Sequence, residues 1–158
     1  KKRISALRLT LGVSTFVPKA HTPFQWNGVR PESKKYLKLL AKKLKPNGVQ
    51  VRPESYGWSI IQALLSRSDR RVAPVIALVR GSQNNLGSWK KAYKAIQEKE
   101  ISNHKNSLLK LPKPPIWEEV VHANWDVSRV LPWEHLEGPL NKELLIQHHK
   151  SSLNQASD

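Results

Sequence analysis

The segment Phe16-Val17-Pro18-Lys19-Ala20-His21-Thr22-Pro23-Phe24-Gln25-Trp26 concentrates more chemically useful groups than any other stretch of the chain. Pro18 and Pro23 restrict its backbone. On that backbone sit a cation (Lys19), an imidazole (His21), a hydroxyl (Thr22), an amide (Gln25) and an indole (Trp26). Such a set can bind and orient a polar ligand, and α/β folds carry such groups on loops at the carboxyl ends of strands. Prolines and aromatic rings also pack turns against a domain, so residue types alone leave both readings open. A second group, Arg67, Asp69, Arg70 and Arg71, could bind an anion, because guanidinium forks match phosphate and carboxylate oxygens. Asp69 could equally cap a helix and pair locally with the arginines. No residue is assigned a catalytic role. His122 and His135 lie in separate elements, and adjacent His148 and His149 point to different helix faces, so no metal site is expected. The chain has no Gly-rich phosphate loop, no Gly-x-Ser-x-Gly elbow and no His-Glu-x-x-His string.

The elements that must position these groups follow from periodicity. Over residues 4–17, Leu7, Leu9, Leu11 and Val13 alternate with Arg8, Thr10 and Gly12, which predicts a strand with one buried face, ending at Pro18. Residues 31–45 read as a helix with Pro31 in its first turn. Tyr36, Leu37, Leu40, Ala41 and Leu44 form its apolar face, and Asn47-Gly48 is its stop. Val49 to Arg52 is a second strand candidate. Helices are expected over 57–67 and 71–80, the second capped by Asp69 and, because of Pro74, either starting late or bending. Ser88 is the expected cap of the next helix. Residues 101–115, ending Pro112-Lys113-Pro114-Pro115, read as a linker. A short helix over 116–125, a Pro/Gly turn and a last helix from Asn141 to about Ser151 complete the chain. The expected organisation is therefore 1–30 (strand and following loop), 31–100 (helical, with a short strand), 101–115 (linker) and 116–158 (C-terminal helical segment and tail). The fold class is helix-rich α/β.

The 158 residues are enough for one domain. Lys and Arg number 27 against 12 Asp and Glu, a formal charge of +15 that draws in polyanions such as RNA or an acidic partner. Lys34, Lys35, Lys38, Lys42, Lys43 and Lys45 lie mostly around the rest of helix 31–45, where they could follow a nucleic-acid backbone or be a solvated face. Salt-dependent RNA binding that survives neutralising those lysines would remove the nucleic-acid reading. The six tryptophans sit mainly beside apolar neighbours, which favours core packing or interface anchoring over base stacking. Cysteine is absent, which excludes disulfides, thiolate zinc sites and an iron–sulfur cluster ligated within this chain. Methionine is also absent, and the opening Lys1-Lys2-Arg3-Ile4 is read as the start of an excised fragment. No apolar run reaches the roughly 20 residues of a membrane span and no secretory signal is visible, so a cytoplasmic protein is expected.

Three stretches together carry a family resemblance. The string FVPKAHTPFQW resembles the segment that closes the radical SAM domain in proteins with an N-terminal cobalamin-binding-like domain, the Fe–S oxidoreductases. Ser66-Arg67-Ser68-Asp69-Arg70-Arg71 resembles that family's Ser-Arg-Gly-Asp-Arg-Arg, and Leu131-Pro132-Trp133-Glu134-His135 its Leu-Pro-Trp-(acid)-His. The three occur in the family's order and span roughly residues 5–145. The resemblance implies that the chain is the C-terminal part of such an enzyme. It would comprise the last strand or strands of a partial (β/α) barrel plus a helical extension that flanks the barrel mouth. It implies a 4Fe–4S cluster on Cys-x-x-x-Cys-x-x-Cys and S-adenosylmethionine in the full-length protein, with the upstream barrel as this segment's partner; cobalamin use stays open. Lys19, His21, Thr22, Gln25 and Trp26 would line the mouth near S-adenosylmethionine or substrate. Arg67, Asp69, Arg70 and Arg71 would bind an anionic group or dock to the barrel. Alone, the chain would be inactive. It departs from the family in Ser68, which replaces a glycine, and in Gly81-Ser82-Gln83-Asn84-Asn85-Leu86-Gly87-Ser88-Trp89, which lacks the aspartate relatives carry before the tryptophan.

Overall fold

A computed structural model describes residues 8–98 and 111–155. Leu7, most of the expected linker and the last three residues lie outside them. The fold is helix-rich α/β, with one two-stranded sheet and six α-helices among the described residues. β1 (Thr10–Val13) and β2 (Gln50–Pro53) pair in parallel, Thr10 opposite Gln50 and Val13 opposite Pro53. They are joined by α1 (Ser33–Leu44). A short 3-10 turn, Lys45–Asn47, ends α1, and Gly48 supplies the left-handed stop at φ 75°.

This β1–α1–β2 unit is the least buried part of the molecule. α1 buries no residue, and Leu9 and Leu11 are exposed, so the buried face expected for the first strand is not covered here. Alternation reports the pleat of a strand, not what lies against it. β1 is followed by a second parallel strand, β2, in the same sheet.

The main core is built by α2 (Tyr56–Arg67), α3 (Ala73–Val79), α4 (Leu86–Glu98) and α5 (Trp117–Val121). α2 buries Ile60, Ala63, Leu64 and Arg67, a helical stripe at spacings of three and four. These pack with Val29, Val75, Val79, Trp89, Tyr93, Trp117, Val120 and Val121. Of the two outcomes Pro74 allows, a late start and a bend, α3 shows the late start. A 3-10 turn, Arg70–Val72, precedes it, and Asp69 accepts a hydrogen bond from the Arg71 amide to cap that turn. At α4, Asn85 accepts from the Ser88 amide at 3.0 Å, so Asn85 and not Ser88 is the cap. Pro114 is buried, and the Pro115 carbonyl accepts from Tyr93 Oη at 2.6 Å and Gln97 Nε2 at 2.9 Å. The end of the expected linker is thus fastened to α4. A second core gathers Trp26, Trp125, Leu131, Trp133 and Leu145 beside α6 (Lys142–Gln155). Five of the six tryptophans are buried, and Trp58 is half exposed at 49%.

Candidate functional site

The loop of residues 14–30 leaves the carboxyl end of β1 and is braced from both sides. Val29 donates to the Val121 carbonyl at 2.9 Å, and Trp125 donates to the Trp26 carbonyl at 2.7 Å. Gly28 donates to Asn124 Oδ1 at 2.9 Å, and the His122 ring lies 2.7 Å from the Val29 carbonyl. The polypeptide after α5 therefore runs against the loop almost as a strand would. That is why the helix expected over 116–125 stops at Val121.

Within the loop, His21 has a φ of 55°, the single positive value at a non-glycine residue among the described residues. Its amide donates to Gln25 Oε1 at 3.0 Å, and the same oxygen accepts from Trp133 Nε1 at 2.8 Å. Gln25 thus fixes both the turn at His21 and the approach of Trp133. His21 and Gln25 open onto a cleft of about 350 Å³ whose far wall carries Glu134, Asn141 and Lys142. Lys142 pairs with Glu134 and holds its carboxyl below the usual range, helped by the Leu131 amide. The remaining residues of the loop set are placed differently. Lys19 is exposed, and its carbonyl accepts from the Thr22 hydroxyl at 2.8 Å. Trp26 is 1% exposed and packs on His149 with ring centres 5.4 Å apart, inside the second core.

The arginine cluster divides as well. Arg71 grips Asp69 through Nε and Nη2 at 2.8–3.0 Å, and this bonding holds the Asp69 carboxyl below its ordinary range. Arg70 is exposed. Arg67 instead is 1% exposed, and among the described residues no carboxylate pairs with it. It donates to the Val121 carbonyl at 3.2 Å and the Ala123 carbonyl at 2.9 Å, and lies 3.8 Å over the Trp125 ring. Burial, and secondly the neighbouring Arg129, lower its guanidinium to about 10, so it stays charged near neutral pH. Arg129 also lies over Trp125, at 4.6 Å, and pairs with Glu119 at 2.7 Å. Ser68, at φ −98°, is in an extended conformation that any residue adopts. The turn therefore does not need the glycine found in the resembling family.

These contacts bring three distant sequence motifs into one region. Gln25 meets Trp133 in a hydrogen bond, and the Ser66 hydroxyl donates to the Pro18 carbonyl at 3.4 Å. Arg67, Asp69 and Arg71 share a second cleft, of about 230 Å³, with Leu131 and Pro132. Sequence reasoning missed Ser68, Trp125, Arg129 and Lys142 as members of these clefts. Each belongs to a loop or helix end with no periodic signal of its own.

No known protein family matches the chain, and no solved structure matches it. It is 27% identical over 84 residues to a protein of Methanocaldococcus jannaschii described as uncharacterized. The match covers 53% of this chain and 19% of that relative, so the chain spans only a small part of the relative's length. Among the described residues, no helix is long and apolar enough to cross a membrane.

Proposed function

We propose that this chain is the C-terminal, non-cluster-binding portion of a radical SAM Fe–S oxidoreductase. In the longer polypeptide it would shape the mouth of the active site or dock substrate for 5′-deoxyadenosyl-radical chemistry. The observation that carries this reading is the meeting of the three family-like motifs around the loop at the carboxyl end of β1. His21 and Gln25 face a cleft there, where the reading needs substrate- or S-adenosylmethionine-proximal groups. The sheet supports the same reading. Parallel strands occur almost only in sheets covered on both faces, yet Leu9 and Leu11 are exposed and each strand keeps an unpaired edge among the described residues. An upstream barrel of the same polypeptide would continue that sheet.

The residues of this chain do not fit the cluster itself. Without cysteine it offers no thiolate, so the iron ligands belong upstream, and no step of the radical chemistry is assigned to a residue here. A second reading, a basic RNA- or partner-binding module, draws on the exposed Lys34, Lys35, Lys38, Lys42 and Lys43 of α1.

The test is anaerobic reconstitution with iron and sulfide, read by electron paramagnetic resonance. The chain alone is expected to give no 4Fe–4S signal, and the polypeptide extended upstream of Lys1 is expected to give one. A stable cluster on the chain alone, or none on the extended polypeptide, would overturn the proposal.

A further inference from the structure

The charge around Trp125 does not balance. Asp69 pairs with Arg71 and Glu119 with Arg129, but among the described residues the buried Arg67 guanidinium meets two backbone carbonyls, an indole ring and the like charge of Arg129, and no carboxylate pairs with it. The carbonyls and the ring solvate a cation and carry no net charge, so the guanidinium charge remains open toward the cleft it lines. Two buried atoms at this place, Arg67 Nε and Ser68 Oγ, have no hydrogen-bond partner among the described residues. Unpaired buried polar atoms are rare in folded proteins and mark places where a partner is missing. Arg71 also keeps Nη1 outside its fork on Asp69. The cleft shares Asp69, Arg71 and Pro132 with an open pocket that adds Arg70 and His135, so a ligand anchored inside has a basic path to the surface.

We propose that this cleft binds a phosphate monoester, with Arg67 supplying the charge and Ser68 and Arg71 the hydrogen bonds to its oxygens. Arg67 and Arg71 line the cleft, Arg70 lies in the pocket at its mouth, and the one carboxylate of Asp69 faces both Arg70 and Arg71, so this group carries a net two positive charges, which matches a dianionic monoester better than a carboxylate or a phosphodiester, each with one charge. The cleft volume, about 230 Å³, accommodates a phosphoryl group and a few attached atoms. The site stands on this chain alone and does not depend on the radical SAM reading.

Inorganic phosphate is titrated into the 158-residue chain at constant ionic strength, with nitrogen-15 NMR of the arginine Nε–H and tryptophan indole groups as readout. Saturable shifts at Arg67 Nε–H and Trp125 are expected. Methyl phosphate should bind like inorganic phosphate, and acetate and dimethyl phosphate at least about tenfold more weakly. Arg71→Gln should weaken binding about tenfold, Ser68→Ala several-fold, and Lys38→Gln not at all. Should Arg71→Gln fail to fold, Ser68→Ala alone decides, since it removes only an unpartnered hydroxyl. Unsaturable shifts spread over the lysines of α1, equal binding of acetate, or full affinity in Ser68→Ala would overturn the assignment.

Discussion

A Gly28→Ala chain is expected to unfold roughly 6 to 12 °C below the parent, a loss of about 3 kcal/mol or more. A Cβ at this position would stand 2.0 Å from the His122 carbonyl oxygen and 2.3 Å from its carbon. Both atoms are backbone, so no side-chain rotation relieves the overlap. The two segments would have to separate, weakening the bonds from Gly28 to Asn124, from Val29 to Val121 and from Trp125 to Trp26. The same movement would loosen Trp26 in the second core. Differential scanning calorimetry checks the shift, with Gly12→Ala as the control, because a Cβ there meets nothing within 4 Å. Equal melting temperatures for Gly28→Ala and the parent would mean that the loop is not braced in this way.

Arg67→Ala is expected to cost about 3 kcal/mol or more, the combined loss of two charge-assisted hydrogen bonds and the packing against Trp125. The Ala123 carbonyl would lose its guanidinium donor and a cavity would open beside Trp125. Arg67→Met should cost less, because the methionine refills the space and removes a buried charge. The adjacent Arg70→Ala, at an exposed position, should stay within about 0.5 kcal/mol of the parent. Urea unfolding of the three variants gives the comparison. If Arg67→Ala proved as mild as Arg70→Ala, Arg67 would not be the internal strut described above.

The contrast between those two arginines shows where sequence reasoning stops. Arg67 lies three residues after Leu64 and seven after Ile60, on the buried stripe of α2, so helical spacing already separates it from the surface arginines beside it. Reading Arg67, Arg70 and Arg71 as one cluster overlooked that phase. Helical pattern located α1 and α2 well, because each is long enough for its pattern to outlast its ends, whereas α6 runs on to Gln155, past the expected end near Ser151. Short elements were less legible. The helix over 116–125 ends early where a distant segment, Trp26 to Val29, takes up the Val121 carbonyl, the Asn124 side chain and the Trp125 amide, a long-range pairing that local pattern cannot encode. At α4 both Asn85 and Ser88 are good caps, and propensity alone does not choose between them. The Pro-rich stretch looked like a linker because proline lacks a donor, yet the carbonyl of Pro115 is an acceptor that Tyr93 and Gln97 use.

Candidate site residues divide along similar lines. The loop holding Lys19, His21, Thr22, Gln25 and Trp26 was found from its density of functional groups. Which of them face a cleft depended on partners more than 100 positions away, such as Trp133, 108 residues from Gln25. His21 and Gln25 line the cleft, and Trp26 serves the core. Ser68 stood out in sequence only as a replacement for a family glycine; its role in a cleft follows from its buried Oγ, which has no partner among the described residues.

The functional reading depends most on whether the longer polypeptide cleaves S-adenosylmethionine. The direct measurement is 5′-deoxyadenosine formed by the reduced, iron-reconstituted polypeptide that includes this chain and the sequence upstream of Lys1. The account predicts 5′-deoxyadenosine that depends on reductant and is absent when this chain is assayed alone. A cluster-bearing polypeptide that leaves S-adenosylmethionine intact would contradict it.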